Sequence, residues 1–196
     1  MLIKIQNDNL DVFIKGKYLD KDKHAVAIVG SRSMTPRGKK LAHDYSFYLA
    51  RKGTTIVSGL AIGVDTEAHK GALAAGGRTI AVIASGLDII YPKENKDLAQ
   101  KIIASGCLVS EFEEGTPPVG KNFLARNRII AALSKAVVVI EGERRSGTLS
   151  TASHAADLGV EVFAIPGSPA TDWLIAEGAT IAASPEDVLT YLSSIS

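Results

Sequence analysis

Several runs of this 196-residue chain are apolar at nearly every position, among them Ala25-Val26-Ala27-Ile28-Val29, Ala81-Val82-Ile83-Ala84 and Ala136-Val137-Val138-Val139-Ile140. A strand with one wet face alternates apolar and polar residues, so continuous Val/Ile/Ala runs belong to a sheet covered on both faces. Segments of helical length separate the runs. The alternation predicts strands at 25–30, 54–58, 78–84, 107–110, 136–140, 160–165 and 179–183. Helices are expected at about 36–52, 62–75, 95–105, 124–134, 148–158 and 185–193, and the stretch between the last two strands reads as a loop. Such an order gives an α/β fold built on a doubly wound, mostly parallel sheet.

The first twenty residues stand apart. Asn7-Asp8-Asn9 is a turn signal, and Val12, Ile14 and Tyr18 are among the apolar positions around it, so residues 1–20 read as a hairpin or edge-strand extension and 21–196 as the core. A composition 46% hydrophobic and 22% charged is that of one globular domain. Formal net charge is +1, so a polyanion would have to be held by a local patch. The single cysteine, Cys107, has no partner for an internal disulfide and reads as a small buried residue opening a strand, which fits a reducing compartment. The amino terminus lacks the apolar run of a signal peptide, and no stretch approaches the ~20 apolar residues of a membrane span. A cytoplasmic location with no membrane partner is expected.

In a doubly wound sheet the ligand crevice lies outside the carboxyl ends of the strands. The first strong strand ends in Gly30-Ser31-Arg32: the glycine admits an anion close to the backbone, the serine offers a hydroxyl and the arginine a five-donor fork. The helix that follows would aim its positive end at the same place; the same turn also serves as an ordinary strand-to-helix corner. Ser58-Gly59 ends the second strand ahead of Asp65, which is placed to cap the next helix, and Asp65 and His69 share a helical face and read as a structural pair. Tyr91 is expected to fill the edge of the core.

Residues 120–146 carry six Lys/Arg (Lys121, Arg126, Arg128, Lys135, Arg144, Arg145) against Glu141 and Glu143, a local balance of +4. Arg126 shares a helical face with Ile129 and Ile130, whereas Arg128 lies about 200° around the axis, so one of the two is expected to face the crevice. Phe123 precedes the first full helical turn, placed either to stack on a base or to pack back on the helix as a staple. Ser146-Gly147-Thr148 sets glycine and hydroxyl groups at another helix amino terminus, a second anion cradle. Two cradles suit a strand of nucleic acid or a nucleotide polyphosphate. The four histidines are dispersed, so no metal or cofactor is expected.

Five motifs, Val-Gly-Ser-Arg (29–32), Ser-Gly-Leu-Ala-x-Gly-x-Asp-x-x-Ala-His (58–69), Gly-Leu-Asp-x-x-Tyr-Pro (86–92), Arg-Asn-Arg-Ile-Ile (126–130) and Ser-Gly-Thr-Leu-x-Thr-Ala (146–152), stand in one order and spacing. Together they resemble the DNA-processing protein A (DprA, or Smf) family from about Val12 to Leu189. The resemblance implies a Rossmann-like core that binds single-stranded DNA in a basic pocket without sequence preference. It also implies a homodimer that loads a RecA-type recombinase on incoming DNA during natural transformation. By the same resemblance Ser31 and Arg32 would grip phosphates, and Lys121, Phe123, Arg126 and Arg128 would form the DNA pocket. Gly30, Ser58, Gly59, Asn127, Ser146, Gly147 and Thr148 complete the expected phosphate- and DNA-binding set.

The chain reads as the family's core alone, without the amino-terminal helical domain or carboxyl-terminal winged helix of full-length members. Its loop after Pro166-Gly167 is short, and Leu124 stands where a proline commonly follows the pocket aromatic. A competing class is the nucleotide phosphoribohydrolases of the same superfamily, with the signature Pro-Gly-Gly-x-Gly-Thr-x-x-Glu. The nearest match, Ser146–Thr151, has Thr151 in place of the glutamate, so no catalytic residue and no enzyme activity are expected. A nucleotide sensor without turnover would use the same cradles.

Overall fold

The computed structural model describes residues 2–5, 10–144 and 146–195. Its elements run β1 (Leu2–Ile5), β2 (Leu10–Gly16), β3 (Val26–Val29), α1 (Pro36–Arg51), β4 (Ile56–Ser58), α2 (Val64–Ala74), β5 (Thr79–Val82) and α3 (Lys96–Ser105). They continue with β6 (Cys107–Ser110), α4 (Gly120–Ala132), β7 (Ala136–Val139), α5 (Gly147–Asp157), β8 (Glu161–Ala164), α6 (Pro169–Ala176), β9 (Thr180–Ile181) and α7 (Pro185–Ser194). All the strands join one sheet in the order β1-β2-β6-β5-β4-β3-β7-β8-β9. From β3 the chain steps outward in parallel through β4, β5 and β6, then returns to the other side of β3 as β7 and continues to β8 and β9. The strand order therefore reverses between β3 and β7, the place where a doubly wound sheet opens its crevice.

The continuous apolar strands are buried on both faces, as their sequence requires. Val26 and Ile28 pack with α1, α2 and α7 through Leu49, Ala68 and Val188. Ala27 and Val29 point the other way, into a core shared with Ile129 and Ile130 of α4, Ala152 of α5 and Leu174 of α6. Cys107 is fully buried at the start of β6. β1 and β2 form an antiparallel hairpin, and β2 extends the sheet by pairing with β6, Gly16 opposite Cys107. The Asn7-Asp8-Asn9 turn lies outside the described residues.

At the end of the sheet away from the crevice, Asp22 is completely buried. Arg78 donates to it through Nε (3.0 Å) and Nη2 (2.7 Å), the Thr55 hydroxyl donates at 2.8 Å and the Leu19 N–H at 2.7 Å. Arg78 also donates to the carbonyls of Ser105 and Lys17, both at 2.7 Å, so one ion pair ties the end of β2 to the starts of β4, β5 and β6.

Three local features differ from the sequence reading. The stretch after Gly167, read as a loop, folds as α6: Ser168 forms a capping box with Thr171, and Pro169 occupies the first turn, where its missing N–H costs nothing. α4 begins at Gly120, so Phe123 lies within its first turn and not before it. Tyr91 does not fill the core edge; it is 47% exposed.

Candidate functional site

The loops after β3, β4 and β7 meet at the switch point. Backbone bonds join them: Ser31 N–H donates to the Glu141 carbonyl at 3.0 Å, and Val64 N–H donates to the Ser31 carbonyl at 3.1 Å. The approach of the β4 loop to the β3 loop requires Gly63, at φ 86°, where a Cβ would stand 2.7 Å from the Arg32 carbonyl oxygen. Between these loops and the starts of α4 and α5 lies a cavity of about 450 Å³. Gly30, Ser31, Arg32, Phe123, Arg126 and Asn127 line it, as do Ser146, Gly147 and Thr148.

Arg126 forms the floor. It is 4% exposed, and its Nη1 donates to the carbonyls of Val82 (2.6 Å) and Gly59. Nε donates to Asn127 Oδ1 at 3.2 Å, while Asn127 Nδ2 donates to the Gly147 carbonyl, tying α4 to α5. Asp65 supplies the counter-charge. A Cβ on Gly59 would stand 2.5 Å from Arg126 Cζ and 2.6 Å from Asp65 Oδ2, so only glycine lets the two groups close on this turn. Burial pushes Arg126 down to about 10, opposed by Asp65 and reinforced by Arg32, so the guanidinium stays charged at neutral pH. Burial also raises Asp65 above the usual carboxylate range, with Arg126 and the Ala61 and Gly59 N–H groups pulling it back.

Asp65 is therefore neither the helix cap nor the partner of His69 that the four-residue spacing suggested. The N-cap of α2 is Gly63. His69 Nδ1 lies 2.7 Å from the Thr79 hydroxyl, which spends its own proton on the Ile56 carbonyl, so the imidazole is the donor. Burial, with Arg126 adding, holds His69 down to about 3 and so keeps it neutral.

Arg32 and Phe123 form the wall. The Arg32 guanidinium stands over the Phe123 ring at 4.9 Å, Arg126 lies 5.9 Å from the same centroid, and Tyr91 meets the ring edge-on at 5.9 Å. Such cation–π contacts are worth about 0.5–2 kcal/mol, more as water is excluded. Phe123 also borders a hollow of about 60 Å³ with Pro118, Ile62 and Tyr91, so the staple position and the cavity wall are one side chain.

The anion cradles are not quite those the sequence suggested. The amino terminus of α1 is occupied by the protein itself: Glu141, 6% exposed, accepts from Thr35 N–H and the Thr35 hydroxyl, both at 2.6 Å, while Thr35 caps Gly38 N–H. That carboxylate answers the positive end of α1, and the amino termini of α4 and α5 differ from it. Neither has an acidic residue in its first turn or a side-chain cap, and Gly120 and Gly147 at their first positions both line the cavity.

Four of the expected residues, Ser58, Gly59, Lys121 and Arg128, lie outside the lining. Ser58 is fully buried and donates to the Ile28 carbonyl at 2.7 Å; Arg128 points away from the cavity and bonds Glu111; Lys121 is exposed on the first turn of α4, outside the lining. Gly59 serves through its carbonyl and its lack of a side chain. Arg145 lies outside the described residues. The lining also includes Ser33, Asp65 and Thr151, which the sequence analysis did not place there. Thr151 sits one helical turn after Thr148, a spacing that would have found it.

A family model described as DNA recombination-mediator protein A matches residues 1–193. The chain belongs to this family. It is 44% identical over 176 residues to Protein Smf of Synechocystis, covering 87% of this chain and 44% of that protein. It spans about half the length of the curated relatives it matches. Among solved structures, DNA processing protein A of Streptococcus pneumoniae superposes with a TM-score of 0.86 at 45% identity, covering 91% of this chain and 65% of that one. The Helicobacter pylori protein, described for its single-stranded DNA binding mode, gives 0.85 at 32%, covering 94% and 87%. The doubly wound, Rossmann-like fold expected from the sequence is the fold of these neighbours.

Proposed function

We propose that the crevice binds single-stranded DNA without regard to sequence. The observation that carries this reading is the convergence of one fixed and one exposed guanidinium, an aromatic wall and two uncapped helix amino termini on a single cavity. Arginines and backbone N–H groups take phosphates, and a ring face takes any base. Family membership and the likeness to the Helicobacter pylori protein support the same ligand.

By the family resemblance, the chain acts in the cytoplasm on DNA taken up during natural transformation, as a homodimer that hands the strand to a RecA-type recombinase. Lys121, exposed at the mouth, meets the strand outside the cavity, and Ser31 and Thr148 add hydroxyl contacts. The phosphoribohydrolase reading is weaker. Thr151 stands where that signature needs a carboxylate, and of the two carboxylates in the lining Asp65 is engaged by Arg126 and backbone N–H groups while Glu143 is exposed in the loop after β7.

Competition against a labelled oligo-dT tests the reading. Unlabelled oligo-dT, oligo-dA and mixed-sequence strands should displace it with similar affinity, and Arg32→Ala and Lys121→Ala should weaken all three alike. Displacement by a mononucleotide in preference to the strands would overturn it in favour of a nucleotide sensor.

A further inference from the structure

The end of the molecule opposite the crevice carries a charge that the chain's total hides. β3 to β7 all begin there, and β2, running antiparallel, ends there. In sheet order this end presents Lys17 after β2, Arg78 before β5, Arg51 and Lys52 before β4, Lys21, Lys23 and His24 before β3, and Lys135 before β7. Seven Lys/Arg stand against Asp20 and Asp22, a local +5 in a chain of net +1. Arg78 takes up Asp22, and Lys23 pairs with Asp20 at 2.7 Å. Outside those two pairs stand Lys17, Lys21, Arg51 and Lys52, all exposed, and the half-buried Lys135. The stripe stops at β8, which Asp157 precedes.

The ledge is held rigid. The Asp22–Arg78 pair fixes the backbone of Lys17 and the start of β4, and Lys135 N–H donates to the Ala25 carbonyl at 2.8 Å. Adjacent strands lie about 4.8 Å apart, so from β2 to β7 the stripe runs about 24 Å, about seven rises of 3.4 Å along a duplex strand. None of the exposed large apolar side chains among the described residues falls in these segments. A face with cations and no apolar anchor suits a regular row of phosphates better than a lipid surface, where apolar residues insert.

We propose that this ledge is a second nucleic-acid surface, binding the phosphodiester backbone of a duplex or a long strand while the crevice holds a separate segment. It stands on its own charges and does not depend on what the crevice binds.

The test uses the full chain as wild type, as the triple reversal Lys21→Glu, Lys52→Glu and Lys135→Glu, and as Arg32→Ala. Fluorescence anisotropy is read with a labelled duplex, a long oligo-dT and an oligo-dT short enough for the crevice alone, each over a salt series. The triple reversal should weaken duplex binding at least about tenfold and flatten its log–log salt slope by about 2.7, the value for three lost phosphate contacts. The short oligo should be unaffected by that variant and weakened by Arg32→Ala; the long strand should respond to both. A triple variant that binds duplex and long strand like the wild type would overturn the proposal, as would loss of binding only to vesicles containing phosphatidylserine. Insensitivity of the short oligo to Arg32→Ala would count against the crevice alone. If the reversal lowers the melting temperature, the glutamine set Lys21→Gln, Lys52→Gln and Lys135→Gln is read instead.

Discussion

Replacing Arg126 by methionine keeps most of the side-chain volume and removes the charge at the floor of the crevice. In the folded protein Arg126 is 4% exposed, donates to the Gly59 and Val82 carbonyls and neutralises Asp65, itself 7% exposed. Removing one of two neighbouring buried opposite charges leaves the other uncompensated and costs about 3 kcal/mol, the low end for a broken buried pair. For a domain of this size 1 kcal/mol moves the melting temperature by roughly 2–4 °C, so Arg126→Met should melt about 6–12 °C below wild type at pH 7.5. The pH dependence has a definite sign. Burial already holds Asp65 above the ordinary carboxylate range, and losing Arg126, which pulls it back, raises it further. The folded state then holds a proton that the unfolded state has lost, so stability falls as pH rises through the folded value. The deficit of the variant should shrink as pH is lowered to 5, and Asp65→Asn in the same background should recover much of it. Thermal melts by circular dichroism at both pH values read these quantities. A variant that melts with the wild type at both, or whose deficit grows on acidification, would refute the Arg126 charge as the organiser of the floor.

Arg32 and Phe123 act as one unit through their cation–π contact, 4.9 Å from charge to centroid. Phe123→Ala should therefore cost about 1–3 kcal/mol of oligonucleotide affinity, and a double-mutant cycle with Arg32→Ala should show coupling above about 0.5 kcal/mol; strict additivity would contradict the shared wall. Glu141→Ala removes the charged acceptor of the Thr35 N–H and hydroxyl, at about 1.5–3 kcal/mol, and should raise amide exchange across residues 31–35 while weakening strand binding; unchanged exchange there would show that the loop is held by other contacts. Asp22→Ala leaves Arg78 without its partner and should destabilise the chain by about 3 kcal/mol in urea titrations, with short-oligonucleotide affinity per folded molecule unchanged.

Much of the fold was legible because both faces of the strands are buried, which removes polar residues from the runs and makes them continuous. α6 was not, since Ser168-Pro169-Ala170-Thr171 carries the same residues that punctuate turns; only the capping geometry separates the two uses. Within the site, helical spacing correctly sent Arg126 toward the sheet and Arg128 away from it. Its burial and its place beside Asp65 were not readable, because they depend on a glycine in a different loop, Gly59. The masking of the α1 amino terminus is the clearest case. Glu141 lies 106 residues from Thr35, and no local pattern indicates that a carboxylate after β7 fills the cradle after β3.

The central claim, that the crevice grips a strand through its phosphates, is tested most directly by titrating the wild-type chain into a short labelled oligo-dT over a salt series. Contacts with about four phosphates predict a log–log slope near −3 for single strands. A slope near zero, or no binding at low salt, would contradict it.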